Sequence, residues 1–303
     1  MTSGVIEKNI YLQFNNFLSY LKDVKKSSDN TLQAYERDLS KFLEYARNNS
    51  LSSFSEVDSD DVSSYKQYLS EIGLSPSSVS RSLSALRSLF QYLIVSGEVE
   101  HNPAREIPND KFEKKGPQVL TSKEIELLLS QPSQDDVKGI RDKAMLELLY
   151  ATGIKVTEII NLNLEDINLQ LSFIRCGNEN KERFIPLYPI AVKSLASYIE
   201  KARKLLVLHM DEPALFVNVA GERMTRQGFW KILKNYAESA KIFKDITPHT
   251  LRHSFAAHLL ENGADIHDIK EILGHSDISS TQRYAQFLKN KMKSGYMKYH
   301  PRA

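Results

Sequence analysis

Apolar residues recur at helical spacing through the first hundred residues of the chain. Side chains three and four positions apart lie on one face of a helix, so these rows predict helices that bury one face in a shared core. Serines and aspartates between the rows are typical helix caps. The pattern predicts four helices, with apolar rows at Ile6, Ile10, Phe14, Phe17 and Leu21; at Leu32, Tyr35, Leu39, Phe42 and Ala46; at Val62, Tyr65 and Leu69; and at Val79, Leu83, Leu86, Phe90 and Leu93.

The helical pattern breaks after residue 101. Prolines and a glycine interrupt a lysine-bearing run, KFEKK, and such punctuation is typical of a linker. We therefore predict an N-terminal helical domain over residues 1–101, a linker over 102–119 and a C-terminal domain over 120–303.

The C-terminal domain alternates helical rows with a few β-rich segments. SFIRC and ERFIPL, separated by GNENK, predict a hairpin, and ALFVN at residues 214–218 predicts a further short strand. A long helix is predicted from about 189 to 208. The predicted fold class is mainly α with a small β-sheet in the C-terminal domain (α+β).

Composition places few limits on function. A chain of 303 residues with 41% hydrophobic residues suits two globular domains, but a net charge of +2 does not by itself indicate nucleic-acid binding. There is no apolar run near the ~18 residues of a membrane helix and no secretory signal, so no membrane association is expected. Cys176 is the single cysteine and suits a reducing compartment, which predicts a cytoplasmic protein.

Candidate chemistry is concentrated near the C-terminus. Thr247 followed by Pro248 predicts a helix start, because threonine caps free N–H groups and proline is tolerated in the first turn. His249, Arg252 and His253 then share one face of that helix. They lie at its electropositive end, where an anion such as phosphate is favoured.

A tyrosine follows this cluster. His275 comes just after a short predicted helix that ends at Gly274, and Tyr284 lies nine residues further on. The pKa of a free tyrosine is about 10, so a nucleophilic tyrosine needs help to lose its proton and cations around the group it attacks. A phosphodiester fits these residues, and the reaction requires no metal.

The order H-x-x-R, L-G-H and tyrosine resembles the catalytic signature of tyrosine recombinases, in particular the bacterial Xer group, which resolves chromosome dimers. The resemblance extends to residues 75–104, to LLYATG at 148–153, to NKERFIPL at 180–187 and to the terminal HPRA at 300–303. It therefore covers nearly the whole chain.

The resemblance implies a two-domain DNA clamp that forms a 3′-phosphotyrosine link without a cofactor. It also implies a double-stranded DNA recombination site as substrate, and a tetramer of this chain alone or with a related recombinase. A DNA translocase is a further expected partner. The implied catalytic residues are Tyr284, Arg252, His249, His275, Lys155 and Lys181. The polar face of the fourth helix, with Ser77, Ser80, Arg81 and Arg87, is expected to contact DNA.

Two positions depart from the family pattern. Lys155 stands where the family has arginine, and Asn178 aligns with the lysine that protonates the leaving 5′ oxygen. Lysine is a mobile point charge rather than a planar fork, so we expect weakened catalysis, with Lys181 as the replacement acid. Glu158, one turn after Lys155, either positions that lysine or lies on the surface.

Other functions fit parts of the same pattern. His249, His253 and His258 resemble a zinc-binding row, but the glutamate of H-E-x-x-H is missing and Arg252 would repel a cation. A DNA-binding paralogue that has lost cleavage would explain Lys155 and Asn178. A type IB topoisomerase and an integrase of a mobile element would use the same chemistry.

Overall fold

The computed structural model describes residues 3–109, 118–177, 182–209, 211–274 and 281–282, with side chains described from residue 10 onward. The chain divides into two compact units, Met1–Lys114 and Lys115–Ala303. Each unit has a hydrophobic core of its own. No helix in the described part of the chain combines the length and the hydrophobicity needed to cross a membrane.

The first unit contains the four predicted helices. Ser28, Asp58 and Ser75 cap the second, third and fourth helices, because each side-chain oxygen accepts backbone N–H groups of the first turn. Aromatic side chains fill the space between the helices, and Phe17 and Phe42 are fully buried. The helices are α1 Ser3–Asp23, α2 Asp29–Asn48, α3 Ser59–Glu71 and α4 Pro76–Val95.

The start of the predicted linker packs on the first unit. Arg87 on α4 donates hydrogen bonds to the carbonyl oxygens of Ala104 (2.9 Å) and Ile107 (2.6 Å). Ala104 is fully buried in the core of that unit. Residues 102–109 are therefore attached to the helices, and the division into 1–101, 102–119 and 120–303 stays a prediction.

The second unit is mainly helical, as predicted, with a three-stranded sheet. The predicted long helix is continuous from Pro189 to Leu206 and contains a π-helical stretch, Tyr198–Arg203. The helices are α5 Ser122–Leu129, α6 Val137–Thr152, α7 Val156–Asn161, α8 Pro189–Ser197, α9 Lys204–Leu206, α10 Arg226–Ser239, α11 Pro248–Glu261 and α12 Ile266–Leu273. The strands are β1 Ile167–Asn168, β2 Phe173–Cys176 and β3 Arg183–Pro186.

The sheet is antiparallel in the order β1-β2-β3, and the predicted hairpin is confirmed as β2 and β3. Ile174 pairs with Ile185, and both side chains are buried. Cys176 on β2 is buried too, which raises the pKa of its thiol to about 12. The thiol is therefore protonated at neutral pH and serves packing.

The predicted strand at 214–218 is wrong. This segment makes only isolated bridges, although Leu215, Phe216 and Val217 are fully buried. Side chains bind its carbonyl oxygens in place of a ladder: Arg203 donates to Ala214 and Leu215, and Arg141 donates to Val217. A buried apolar run can satisfy its backbone in this way without a partner strand.

Gly153 ends α6 and turns the chain sharply. Its φ of +59° lies in the left-handed region, and a Cβ at this position would come 2.3 Å from Cδ1 of Phe255 on α11. The turn leads into α7, with Lys155 as its N-cap residue, and the carbonyl oxygen of Gly153 accepts a hydrogen bond from Arg252 on α11.

Candidate active site

The start of α11 is fixed by a reciprocal cap, as the sequence predicts. Thr247 Oγ1 accepts the N–H of Thr250 (3.2 Å), and Thr250 Oγ1 accepts the N–H of Thr247 (3.1 Å). Pro248 occupies the first turn. This cap places His249 and Arg252 in the opening turns of the helix.

Arg252 is buried and held by two other elements. Its side chain donates from Nη1 to the carbonyl oxygen of Gly153 (2.6 Å) and from Nη2 to that of Leu273 (2.7 Å). These carbonyls end α6 and α12, where helices leave their last oxygens without intrahelical partners. The two bonds fix the plane of the guanidinium, so Arg252 is a preorganised cation.

His249 lies in a positive field. Partial burial lowers the pKa of its imidazole below the usual 6.5, and the charges of Arg252, Arg226 and Lys155 lower it further. The ring lies beside that of His253, with 6.3 Å between centroids. At neutral pH the lowered pKa leaves His249 uncharged, whereas Lys155 and Arg252 carry the positive charge near it.

Lys155 is exposed at the start of α7, and its backbone is held by Glu158. The Lys155 N–H donates to Glu158 Oε2 at 2.7 Å. Burial raises the pKa of Glu158, but the hydrogen bonds from Arg183 and the Lys155 N–H, with the charges of Arg183 and Arg252, lower it below its usual value. Glu158 is therefore ionised and holds the backbone of Lys155.

Two arginines at this site were not singled out from the sequence. Arg183 on β3 pairs with Glu158, and Arg226 at the start of α10 adds its charge near His249. Arg183 stands in the NKERFIPL segment that resembles tyrosine recombinases, which was the available signal. Its partners lie far along the chain, so the sequence alone does not reveal its contacts.

The remaining predicted catalytic residues lie outside the described residues. These are His275, Tyr284 and Lys181, together with the departing position Asn178. Gly274, directly before His275, is described and caps α12 in the left-handed conformation, with φ of +63°. The structure thus brings together Arg252, His249 and Lys155, and it fixes the residue that precedes His275.

Of the histidines in the zinc-like row, His258 has a structural partner. It is buried, and its Nδ1 lies 2.9 Å from the hydroxyl oxygen of Tyr150 on α6. This contact joins α11 to α6. The described residues contain no group of three or more histidine, cysteine, aspartate or glutamate side chains placed to hold a metal ion.

The predicted DNA-contacting residues of α4 also have intramolecular contacts. Arg81 binds both carboxylate oxygens of the buried Asp38, at 2.6 and 3.0 Å, and Arg87 holds residues 104–109. Ser77 is exposed and Ser80 is half-buried. These contacts stabilise the first unit, and the DNA role of the four residues stays a prediction.

Comparison with known protein families gives two matches along the chain. Residues 118–291 match the profile of the phage integrase family, and residues 14–97 match the phage integrase N-terminal SAM-like domain. The chain belongs to the phage integrase family.

Individual relatives agree over nearly the full length. Tyrosine recombinase XerD of Staphylococcus epidermidis is 43% identical over 95% of this chain and 98% of its own, and XerD of Listeria innocua is 44% identical with the same coverage. A crystal structure of XerH recombinase bound to palindromic difH substrate shares the fold, with a TM-score of 0.76 at 21% identity over 91% of this chain and 82% of that chain. The protein is thus a site-specific tyrosine recombinase, an enzyme that cuts and rejoins DNA.

Proposed function

We propose that Tyr284 is the nucleophile of the active site, that His249 accepts its proton, and that Arg252 and Lys155 bind the phosphate. The observation that carries this proposal is that buried Arg252 is anchored on two helix-end carbonyls. The charges of Arg252 and Lys155 both lower the pKa of His249, so the three residues lie close together. A fixed cation such as Arg252 stabilises the charge that develops on a transferring phosphate, and it needs no reorganisation during the reaction.

The proposed step conserves the energy of the phosphodiester. Tyr284 Oη forms a bond to phosphorus while the bond from phosphorus to the 5′ oxygen breaks, which gives a 3′-phosphotyrosine and a 5′-hydroxyl. The neutral imidazole of His249 accepts the phenolic proton, and Lys181 supplies a proton to the 5′ oxygen. Arg252, Lys155 and His275 bind the phosphate oxygens. Attack by a 5′-hydroxyl reverses these steps, so no nucleotide or metal cofactor takes part.

We further propose that this recombinase cleaves slowly. Lys155 replaces a planar guanidinium with a single ammonium, and Asn178 cannot act as a general acid. The same two residues favour a second candidate function, a DNA-binding paralogue that no longer cleaves. A covalent product distinguishes the two, since only the slow enzyme forms one.

The proposed assembly contains four protomers on two DNA sites. The protomers are copies of this chain alone or of this chain with a related recombinase, and a DNA translocase activates the complex. Strand exchange between two sites resolves chromosome dimers or moves an integrated element. Ser77, Ser80, Arg81 and Arg87 are the proposed DNA contacts of the first unit.

Trapping on a nicked duplex tests the proposed chemistry. Cleavage next to a nick releases a short fragment, so the covalent complex accumulates and is seen on a denaturing gel. We expect a band with the wild-type protein and with Tyr296→Phe, a control tyrosine in the same C-terminal segment, and no band with Tyr284→Phe. DNA binding without a covalent band in the wild-type protein would support the non-cleaving paralogue.

The lowered pKa of His249 predicts the pH at which the cleavage rate falls on the acid side. Because its pKa lies below the usual 6.5, the imidazole gains its proton at a lower pH than an ordinary histidine does. We expect the single-turnover cleavage rate to fall to half its plateau value at a pH below 6.5. His249→Gln should cleave more slowly and lose this acid limb. A wild-type rate that is halved at or above pH 6.5 would contradict the assignment.

A further inference from the structure

We propose that Arg183 is a positioning residue for DNA cleavage, which holds the start of α7 and the end of α12 in one arrangement. This inference rests on the proposed function, because it takes Lys155 and His275 as members of the active site. None of the contacts described for Arg183 is with Arg252, with His249 or with the side chain of Lys155. Arg183 acts through the elements that carry Lys155 and His275.

The first contact of Arg183 is with Glu158, which in turn holds the backbone of Lys155. Arg183 Nη1 donates to Glu158 Oε1 at 2.7 Å, and the other oxygen of that carboxylate accepts the Lys155 N–H at 2.7 Å. One carboxylate thus joins strand β3 to the N-cap of α7. The position of the Lys155 backbone depends on the rotamer of Glu158, and Arg183 fixes that rotamer.

The second contact of Arg183 is with the end of α12, close to the residue that precedes His275. Arg183 Nε donates to the carbonyl oxygen of Ile272 at 2.7 Å, one residue before the carbonyl of Leu273 that accepts from Arg252. Two arginines from two other elements therefore bind successive carbonyls at the end of α12. A Cβ added to Gly274 would lie 2.9 Å from Arg183 Cζ, so the guanidinium packs directly against the turn that leads into His275.

The environment of Arg183 favours a fixed geometry. The ion pair is largely shielded, with side-chain exposures of 16% for Arg183 and 21% for Glu158. Its Nη2 is buried and has no hydrogen-bond partner among the described residues. Lysine cannot replace this arrangement, because one ammonium cannot reproduce a planar fork that reaches Glu158 and Ile272 in fixed directions.

A matched control lies on the neighbouring strand. Arg175 on β2 forms an ion pair with Asp166, at 2.9 Å, and its side chain is 39% exposed. The pair joins the strand to the segment just before β1, and none of the hydrogen bonds described for Arg175 reaches α7 or α12. Arg175→Lys therefore makes the same chemical change in the same sheet without disturbing the proposed site.

The experiment compares Arg183→Lys, Arg175→Lys and wild type by three measurements. These are the single-turnover cleavage rate at saturating nicked duplex, the Kd for uncleaved duplex, and amide exchange at the end of α12. For Arg183→Lys we expect a cleavage rate lower by about 10–10², because a small displacement of catalytic groups costs up to about 10². Its Kd should stay within about threefold, and exchange at the end of α12 should accelerate. Arg175→Lys should match wild type in all three.

A double variant tests whether Arg183 acts through Glu158. If it does, Glu158→Gln combined with Arg183→Lys should cleave no more slowly than the slower single variant, because both changes break one connection. If the double variant instead loses a factor equal to the product of the two single losses of rate, Arg183 does not act through Glu158. Wild-type cleavage and wild-type exchange in Arg183→Lys would overturn the proposal, as would a loss of DNA affinity as large as the loss of rate.

The exchange measurement separates this inference from the proposed function. If the wild-type protein forms no covalent complex, the cleavage proposal fails, yet the exchange of α12 is still measured. Unchanged exchange in Arg183→Lys would then show that the contact does not position α12. Accelerated exchange confined to α12 and α7 would support the connection in a protein that binds DNA without cutting it.

Discussion

Lys155→Arg combined with Asn178→Lys is expected to raise the single-turnover cleavage rate by about 10²–10³. Removal of one preorganised donor to a developing anion commonly costs about 10²–10³ in rate, and Lys155 retains only the charge of such a donor. Lys155→Arg alone should therefore recover about 10–10². Asn178→Lys supplies a group that can protonate the 5′ oxygen, and general acid catalysis contributes about 10²–10⁴ where no other acid acts. Because Lys181 is the proposed acid already present, we expect Asn178→Lys to add a gain of only about tenfold.

The surroundings of Lys155 allow this substitution. Its side chain is exposed, and the hydrogen bond to Glu158 comes from the backbone N–H, which arginine retains. Lys138→Arg, at the opposite end of α6, controls for the general effect of arginine on DNA affinity. Glu179→Lys places a new charge beside position 178 without supplying the proposed acid there. If both active-site substitutions leave the rate at the wild-type value while DNA binding is intact, the departures from the family pattern do not limit cleavage.

Arg252→Ala is expected to lower cleavage by at least about 10³. The substitution removes the buried cation and also leaves the carbonyls of Gly153 and Leu273 without their donors. A buried polar group that loses its partner costs about 1–3 kcal/mol, so a lower Tm should accompany the lower rate. Arg252→Lys should recover part of the stability and little of the rate, because one ammonium cannot hold both carbonyls and present a flat face to phosphate.

Arg203 provides the control for this prediction. It is a buried arginine that also donates to backbone carbonyls, those of Ala214 and Leu215, at a place with no proposed catalytic residue. Arg203→Lys should lower the Tm while the folded protein cleaves at the wild-type rate. If Arg203→Lys and Arg252→Lys lose equal cleavage for equal loss of Tm, Arg252 acts through stability alone.

The parts of the fold that were predictable are those set by neighbouring residues. The starts of α2, α4 and α11 followed from a serine or threonine before a helical row, because capping involves residues only a few positions apart. The hairpin of β2 and β3 followed from two β-rich segments around a polar turn.

The features of the fold that the sequence did not predict depend on contacts between distant residues. The segment 214–218 has the composition of a strand, yet Arg203 and Arg141 satisfy its carbonyls from other helices. β1 is only two residues long, which is too short to produce an alternating pattern. Neither feature has a local signal, because each depends on which elements pack together.

The candidate site shows the same division. His249, Arg252 and the tyrosine that follows them predicted phosphate chemistry from their types and order, and the resemblance to tyrosine recombinases added Lys155. The burial of Arg252, the lowered pKa of His249 and the connection through Arg183 arise from contacts between elements far apart in the sequence. A family pattern therefore points to the proposed catalytic residues. It is less informative about the residues that position them.

The most direct measurement is to locate the DNA on the protein. The trapped covalent complex is digested with nuclease and trypsin, and the peptide that carries the remaining nucleotide is identified by mass spectrometry. Trypsin cuts after Arg283 and Lys289, so Tyr284 lies in the peptide YAQFLK, where it is the only tyrosine. We predict a nucleotide linked through phosphate to that peptide. A nucleotide on any other peptide, or a covalent complex in which YAQFLK is entirely unmodified, would contradict the assignment of Tyr284 as the nucleophile.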